Sequence, residues 1–345
     1  MIGGPGRSSP ERVTTEWIRL LDFAASGAKR PFALATLVGR QGSSYRLPGA
    51  RLLIDAEGRH AGCLSGGCLE EGIAQVGLRV LRTGAGERLH LDTRPHFGCP
   101  GQLDIFIEPL ADTVLGEVGR ALAARERVWL STRFGISRDG DTLGTRVRRD
   151  RPDAETETTW TEELGLQPRL VVASATSDAD ALCELAVWMG WDVRRVVHSA
   201  EARGEVAVPA GARVELVAPE KLAETIPPDE RTACVIMTHH LGRDLAYLRS
   251  ALAAAYPYVG LLGSRRRRET LLGELGDSGL LEDASVAERL RAPVGLDLGA
   301  EEPRGIALAI VAEIQAAWGK GEGRPLRERL GPLHLRPTGD VAPTR

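Results

Sequence analysis

Two cysteines flank a glycine pair in the stretch CLSGGCLEEG, Cys63 to Gly72, with Glu70 and Glu71 directly behind. Four residues separate the sulfurs, the wide end of the spacing found in zinc clips. No second clip follows, and His96 and Cys99 in RPHFGCPGQLDIFIEP would complete a ligand set only by converging in three dimensions, so no metal site is assigned. A disulfide between Cys63 and Cys68 is disfavoured in a reducing compartment. The glycine step reads better as a turn between a strand and a helix starting near Leu69, where unpaired amide groups favour an anion. The same field stabilises a thiolate at Cys68 unless Glu70 and Glu71 point back at it. Gly66, Gly67 and Cys68 are therefore candidates for ligand contact or thiol chemistry; the plainer reading is a tight turn around a small cysteine, with Cys63 an inward residue of the preceding strand.

A second group lies in GRQGSSYRLPGARLLI, where Gly39, Gly42 and Gly49 surround Ser43, Ser44 and Pro48, and Arg40, Arg46 and Arg51 supply guanidinium forks. Amides, hydroxyls and arginines together suit a carboxylate or phosphate; the alternative is a surface loop with solvated arginines. Further on, VIMTHHLGRD sets Thr238, His239 and His240 after an apolar strand, at the edge where parallel sheets bind ligands, with Asp244 early in the next helix. A histidine, with an ordinary pKa of about 6.5, suits a base or a ligand there, and equally a strand-end cap. GLLGSRRRRE repeats the arrangement with Gly263 and Ser264 before Arg265 to Arg268, and GLDLGAEEP offers a glycine-bounded loop bearing Asp297 and Glu301. VVASATSDADAL, where a dinucleotide-binding elbow would stand, has no glycine from Val171 to Leu182, so side chains obstruct a pyrophosphate. The second strand is followed by His198, not by the acid that would hold a ribose, and NAD(P) is disfavoured.

The elements that must carry these residues change character along the chain. Trp17, Leu20, Leu21 and Ala24 mark one helical face, FALATLVG, ARLLIDAEG and RHAGCLS read as strands, LEEGIAQVGLRVL as a helix, and QLDIFIEPL as a strand with one wet face. Residues Val114 to Ala124 look helical, RVWLST extended, and the polar run ISRDGDTLGTRVRRDRPDAETETTW is expected to form a hairpin or boundary too charged to be buried. Beyond it RLVVAS, DVRRVVHS, TACVIMTHH and YVGLLGS alternate with helical stretches, the pattern of crossover units on a parallel sheet. The expected fold is α/β: a strand-rich α+β domain over 12–150, a Rossmann-like parallel-sheet domain over 165–320, and a loose tail over 321–345.

Composition limits the partners. The 345 residues, 43% of them hydrophobic, provide for more than one core. A net charge of −3, with arginines dispersed, disfavours nucleic acid. Apolar runs stop well short of the roughly 20 residues of a membrane span, and no apolar leader opens the chain, so a cytoplasmic location is the default. Five cysteines, an odd and sparse set, do not describe a secreted disulfide scaffold.

Four separated stretches in order, GSSYRLPGARLLIDAEGRHAGCLSGGCLEEG, MTHHLGRDLAYLRSAL, YVGLLGSRRRRETLL and APVGLDLGAEEPRGIALAIVAEI, resemble the XdhC/CoxI family of accessory proteins for molybdenum hydroxylases, over about Trp17 to Trp318. The resemblance implies an N-terminal domain with a GGC motif, a Rossmann-like C-terminal domain, and a role in binding molybdenum cofactor (molybdopterin) as cargo and helping its sulfuration and insertion into a xanthine dehydrogenase-type apoenzyme. By that resemblance the family's serine loop falls on Ser43, Ser44, Pro48 and Gly49, and its GGCxE motif on Gly66, Gly67, Cys68 and Glu70. Its threonine-histidine motif falls on Thr238 and His239 with Asp244 downstream, its arginine motif on Gly263 to Arg268, and its glycine-aspartate motif on Gly295, Asp297 and Gly299. Cys68 would then handle sulfur or face the metal, and His239 would be the second reactive group. Partners implied are the apo hydroxylase, a sulfur-donor protein and a second copy of the chain. The chain departs from the family at Ala173-Ser174-Ala175-Thr176 and His198, where a glycine elbow and an aspartate are usual. A nucleotide-dependent oxidoreductase and a docking module that holds no cofactor are the competing classes.

Overall fold

A computed structural model of the chain describes residues 10–42, 46–67, 69–92, 101–135, 143–152, 156, 158–199, 208–277 and 279–328. Contacts divide it into two units between Gln167 and Pro168. The first contains, in chain order, α1 (Pro10–Ala25), β1 (Ala33–Gly42), β2 (Arg51–Ile54), β3 (His60–Gly62), α2 (Glu70–Thr83), β4 (Glu87–Asp92), β5 (Gly101–Pro109), α3 (Asp112–Ala124), β6 (Val128–Arg133), β7 (Gly144–Arg148) and β8 (Thr159–Leu164). Five strands form an antiparallel sheet in the order β3-β2-β1-β5-β4, and three a smaller antiparallel sheet in the order β7-β6-β8.

Strand alternation assigns the faces. Ala33, Ala35 and Leu37 of β1, with Leu103, Ile105 and Ile107 of β5, pack on Ile73, Ala74 and Val80 of α2. Leu34 and Leu53, on the other face, lie under Trp17 and Leu20 of α1, Val118 and Leu122 of α3, and Leu130 and Leu164 of the small sheet. Two expectations are corrected here. Ile105 to Glu108 of β5 are buried on both faces, because Phe106 is covered by Val38 and Trp160 while Ile105 and Ile107 meet α2. The polar run does hide part of itself: Thr145 of β7 and Trp160 of β8 are buried, and β8 continues beyond the run with Glu162 and Leu164 buried as well.

The second unit contains β9 (Arg169–Ala173), α4 (Asp180–Trp188), β10 (Asp192–Val197), β11 (Ala212–Leu216), α5 (Leu222–Thr225), β12 (Thr232–Ile236), α6 (Leu241–Ala253), β13 (Tyr258–Leu261), α7 (Arg265–Gly276), α8 (Ala284–Arg289), β14 (Leu290–Arg291) and α9 (Pro303–Gly319). Its strands are parallel, in the order β11-β10-β9-β12-β13-β14. Leu170 and Val172 of β9 meet α4 and α9, whereas Val171 and Ala173 meet α6 and α7. Cover on both sides explains why β9 and β12 read as unbroken apolar runs. This is the Rossmann-like arrangement expected, and strand order reverses between β9 and β12, where such sheets open a crevice. Among the described residues no helix is long and apolar enough to cross a membrane.

Candidate functional site

In the first unit the chain leaves β3 through Gly62, whose φ of 109° and whose missing Cβ, which would lie 2.2 Å from the Arg51 carbonyl oxygen, exclude any other residue. It then turns through Gly66 and Gly67, both exposed and left-handed with φ of 91° and 106°. The anion held by this turn is the chain's own. Glu70 Oε1 accepts from the amides of Leu64 (2.9 Å) and Ser65 (2.8 Å), and Oε2 from the Ser65 hydroxyl (2.7 Å) and the amides of Gly67 (3.0 Å) and Leu69 (3.1 Å). Burial opposes its ionisation, but the Ser65 amide and hydroxyl and the Leu64 amide outweigh that and push the carboxyl down to about 2. Cys63 is half-buried, and its Sγ accepts from the Gly66 amide at 3.2 Å, so this sulfur helps shape the turn. Gly66, Gly67 and Glu70 thus form one unit at the start of α2. Cys68, Ser43 and Ser44, with His96 and Cys99, lie outside the described residues.

Arg51 departs from its expected place in the loop. Its side chain is fully buried, with Nη1 donating to the Gly49 carbonyl at 2.9 Å, Nη2 paired with Glu162, and the guanidinium 5.0 Å from the Trp17 ring centre. Glu16 Oε1 accepts from the Arg51 amide (3.1 Å) and from Arg46 Nη2 (2.8 Å); burial raises the Glu16 carboxyl above its ordinary range while Arg51 and Arg46 oppose the shift. The physical reason is that parity puts Arg51 with Leu53 on the face covered by α1 and the small sheet, where a cation needs acidic partners. Arg40 remains at the surface near the end of β1 with no ion-pair partner among the described residues, and borders a cleft of about 380 Å³.

In the second unit Asp244 organises the ends of β12 and β13. It is fully buried; Oδ1 accepts from the Thr238 amide (3.1 Å) and hydroxyl (2.6 Å), and Oδ2 from Arg267 Nε (2.9 Å) and Nη2 (2.5 Å). Gly263 makes room for that fork, since a Cβ there would sit 2.8 Å from Arg267 Cδ. Arg267 Nη1 also reaches the carbonyl oxygen of His239 at 3.3 Å, and His239 is held at a φ of 60°, unusual for a residue with a side chain. Its Nε2 lies 3.1 Å from Asp178 Oδ2, across from the β9 end. A strained, carboxylate-paired imidazole at the reversal of strand order is suited to proton transfer or ligand binding. His240 caps α6 and Ser264 caps α7, each accepting from the backbone amide three residues on at 3.3 Å. Thr238, His239, Asp244, Gly263 and Ser264 are therefore brought together. Arg265 stands exposed at the start of α7, and Asp297 lies on an exposed stretch outside this network.

Sequence reasoning did not find Asp178, Arg195 or the Glu16 to Glu162 cluster. Arg195, 1% exposed, runs beneath the β9 to α4 loop and donates to the carbonyls of Ser174 (3.1 Å) and Thr176 (2.5 Å) and to Asp180 Oδ1 (2.6 Å). The Thr176 amide donates to Ser174 Oγ at 3.1 Å and the Ala179 amide to the Thr176 carbonyl, so the loop's polarity is largely turned inward. The available signal was parity: in DVRRVV, Arg195 shares its face with Val193 and Val197, both buried. Among the described residues no group of three or more His, Cys, Asp or Glu is placed to hold a metal.

Comparison with known proteins follows the same division. Residues 25–92 match the XdhC and CoxI family, and residues 170–314 match the XdhC Rossmann domain. The chain is 27% identical over 316 residues to the molybdenum cofactor insertion chaperone PaoD of Escherichia coli, covering 88% of this chain and 89% of that one. It is 26% identical over 315 residues to a probable xanthine dehydrogenase subunit of Bacillus subtilis, covering 81% and 91%. A crystal structure described as a xanthine dehydrogenase from Bacillus halodurans shares the fold at a TM-score of 0.69, with 23% identity over 88% of this chain and 96% of that one.

Proposed function

We propose, from the premise that this chain belongs to the XdhC/CoxI family, that it holds molybdenum cofactor as cargo and assists its sulfuration and insertion into a xanthine dehydrogenase-type molybdenum hydroxylase. The observation that carries this reading is the extent of the likeness to a relative named as a cofactor insertion chaperone, which runs through 88% of the chain. The turn before α2 supports it. Its glycine pair is exposed, with the Gly67 amide held by the buried Glu70 carboxylate and the Gly66 amide by Cys63 Sγ. Fixing a contact edge before the ligand arrives lowers the cost of ordering it.

The cargo is a phosphate-bearing pterin with an oxidisable dithiolene. In this reading the Ser43, Ser44 and Arg40 region meets its anionic part and Cys68 handles sulfur beside the metal. The second unit, taken by itself, carries its own polar surface, in which His239 paired with Asp178 is suited to hold a proton and Thr238, Asp244, Gly263, Ser264 and Arg265 lie around it, with Asp297 beyond. The apo hydroxylase and a sulfur-donor protein are the proposed partners, a homodimer the proposed assembly, and the cytoplasm the proposed location.

Anaerobic purification followed by molybdenum and pterin analysis tests the cargo. Both are expected to co-purify in comparable amounts, and their absence from this protein, under conditions where a control carrier retains them, would sink the reading. Cys68→Ala should lower activation of the apo hydroxylase by at least tenfold with melting unchanged; normal activation removes that cysteine from the account.

A further inference from the structure

The strand β11 closes one end of the six-stranded sheet, and its outer edge pairs with no described strand. Its five residues run in unbroken register beside β10, from Ala212 against Val193 to Leu216 against Val197, with neither a bulge nor a proline to blunt the edge. The Val217 amide donates to the Val197 carbonyl at 3.0 Å, so by alternation Arg213 and Glu215 also turn their backbone groups toward β10. Ala212, Val214 and Leu216 turn theirs outward. The Ala212 amide is taken by the Pro209 carbonyl at 3.0 Å, which leaves the Ala212 carbonyl and both groups of Val214 and Leu216 without partners among the described residues.

The side chains of this edge are unevenly matched within the chain. Register sets Arg213 beside Arg194, two cations on one face. Arg194 is neutralised, donating from Nε to Asp192 at 2.8 Å and from Nη1 to Glu215 at 2.6 Å, whereas Arg213 is exposed with no ion-pair partner among the described residues. On the other face, where Val193 and Ala212 join the core beneath α4, the strand ends in Leu216, 63% exposed.

The segment ARVEL complements itself when run in reverse. Antiparallel pairing about a two-fold axis at Val214 puts Arg213 opposite the partner's Glu215 and Leu216 opposite the partner's Ala212, each contact occurring twice by symmetry. The outward backbone groups meet in that same register: Val214 exchanges bonds with the partner's Val214, and the Leu216 amide donates to the partner's Ala212 carbonyl. Arg213 and Glu215 then fall at non-hydrogen-bonded positions, where opposed side chains lie closest, and Leu216 is covered diagonally by the partner's Val214. Moving the axis to Arg213 or to Glu215 would set like charges against each other, so the pattern selects one register.

We propose that β11 is the edge through which two copies of this chain associate, pairing antiparallel about Val214 so that their parallel sheets join into one. The proposal rests on the homodimer of the reading above; the cargo does not enter it.

Sedimentation equilibrium of the full chain and its variants gives the dimer dissociation constant, with the melting temperature measured beside it. Val214→Pro removes an outward amide, a change that edge strands tolerate, and should raise the constant at least about tenfold. Arg213→Glu opposes like charges in both pairs and should raise it about tenfold, with melting unchanged because the side chain is exposed. Mixed in equal parts, Arg213→Glu and Glu215→Arg chains should pair with each other in preference to themselves, since only the mixed dimer opposes unlike charges in both pairs. The charge variants leave the backbone intact and decide the matter if Val214→Pro melts early. A wild-type dimer that these changes leave as tight as before overturns the β11 edge while the homodimer stands on another surface. A wild type that stays monomeric overturns both. A monomer whose Val214→Pro variant loses binding to the apo hydroxylase overturns them equally and gives the edge to that enzyme.

Discussion

Glu70 holds its turn through both carboxylate oxygens, and a glutamine there would keep the shape while replacing one acceptor oxygen by a donor. Glu70→Gln should leave amides of the Ser65 to Leu69 turn without acceptors and destabilise the protein by about 2–3 kcal/mol, the scale of a hydrogen bond to a charged group together with its stranded partner. Urea unfolding at pH 7 measures this, and a variant as stable as the wild type would show that the carboxylate does not secure the turn. Sequence order put Gly66, Gly67 and Glu70 side by side but suggested amides open to an outside anion. What it did not display is that a carboxylate in the first turn of α2 folds back over them. Asp244 was legible as a position near the β12 end; its joining of Thr238 to Arg267 was not, because that needs two helices to converge.

Elements with one clear period were readable, and those whose polar residues are buried were not. The helix α1 and the strands β1, β9 and β12 show their faces in the sequence because apolar residues recur at 3.6 or 2, or fill a strand covered twice. The strand β8 alternates as strictly, but with Glu162 at an inward position between Trp160 and Leu164, so its charge masked its period. Its partner Arg51 came from β2, remote in sequence. This pair joins the two sheets of the first unit, and truncating one member strands the other in the core. Glu162→Ala is predicted to cost about 3–5 kcal/mol, whereas combining Arg51→Met with Glu162→Leu should restore most of it. A double-mutant cycle by chemical denaturation reads the coupling; additive losses in the two positions would mean the pair does not act as a unit.

Across the whole molecule, buried carboxylates set opposing pH dependences. Glu108 of β5, 4% exposed, accepts from the amide (2.7 Å) and hydroxyl (2.5 Å) of Thr145 in β7; burial pushes its carboxyl up to about 7, against these bonds and Arg51. Below pH about 4.5 both folded and unfolded chains carry this proton. Between about 4.5 and 7 the unfolded chain has released it and the folded chain has not, so stability falls as pH rises, and the loss is complete above about 7. Glu16 is raised too, by burial, and acts in the same direction. Glu70 acts oppositely: its folded carboxyl near 2 gives stability present above about 4.5 and lost as pH falls toward 2. These groups together place their best contribution near pH 4.5 to 5. Moving from pH 5 to pH 7.5 should lower the stability of the wild type relative to Glu108→Gln by about 2–3 kcal/mol, since the amide cannot titrate. The difference between their denaturation profiles isolates this carboxyl from every other titrating group; parallel profiles over that interval would mean that Glu108 is already ionised in the folded protein at pH 5.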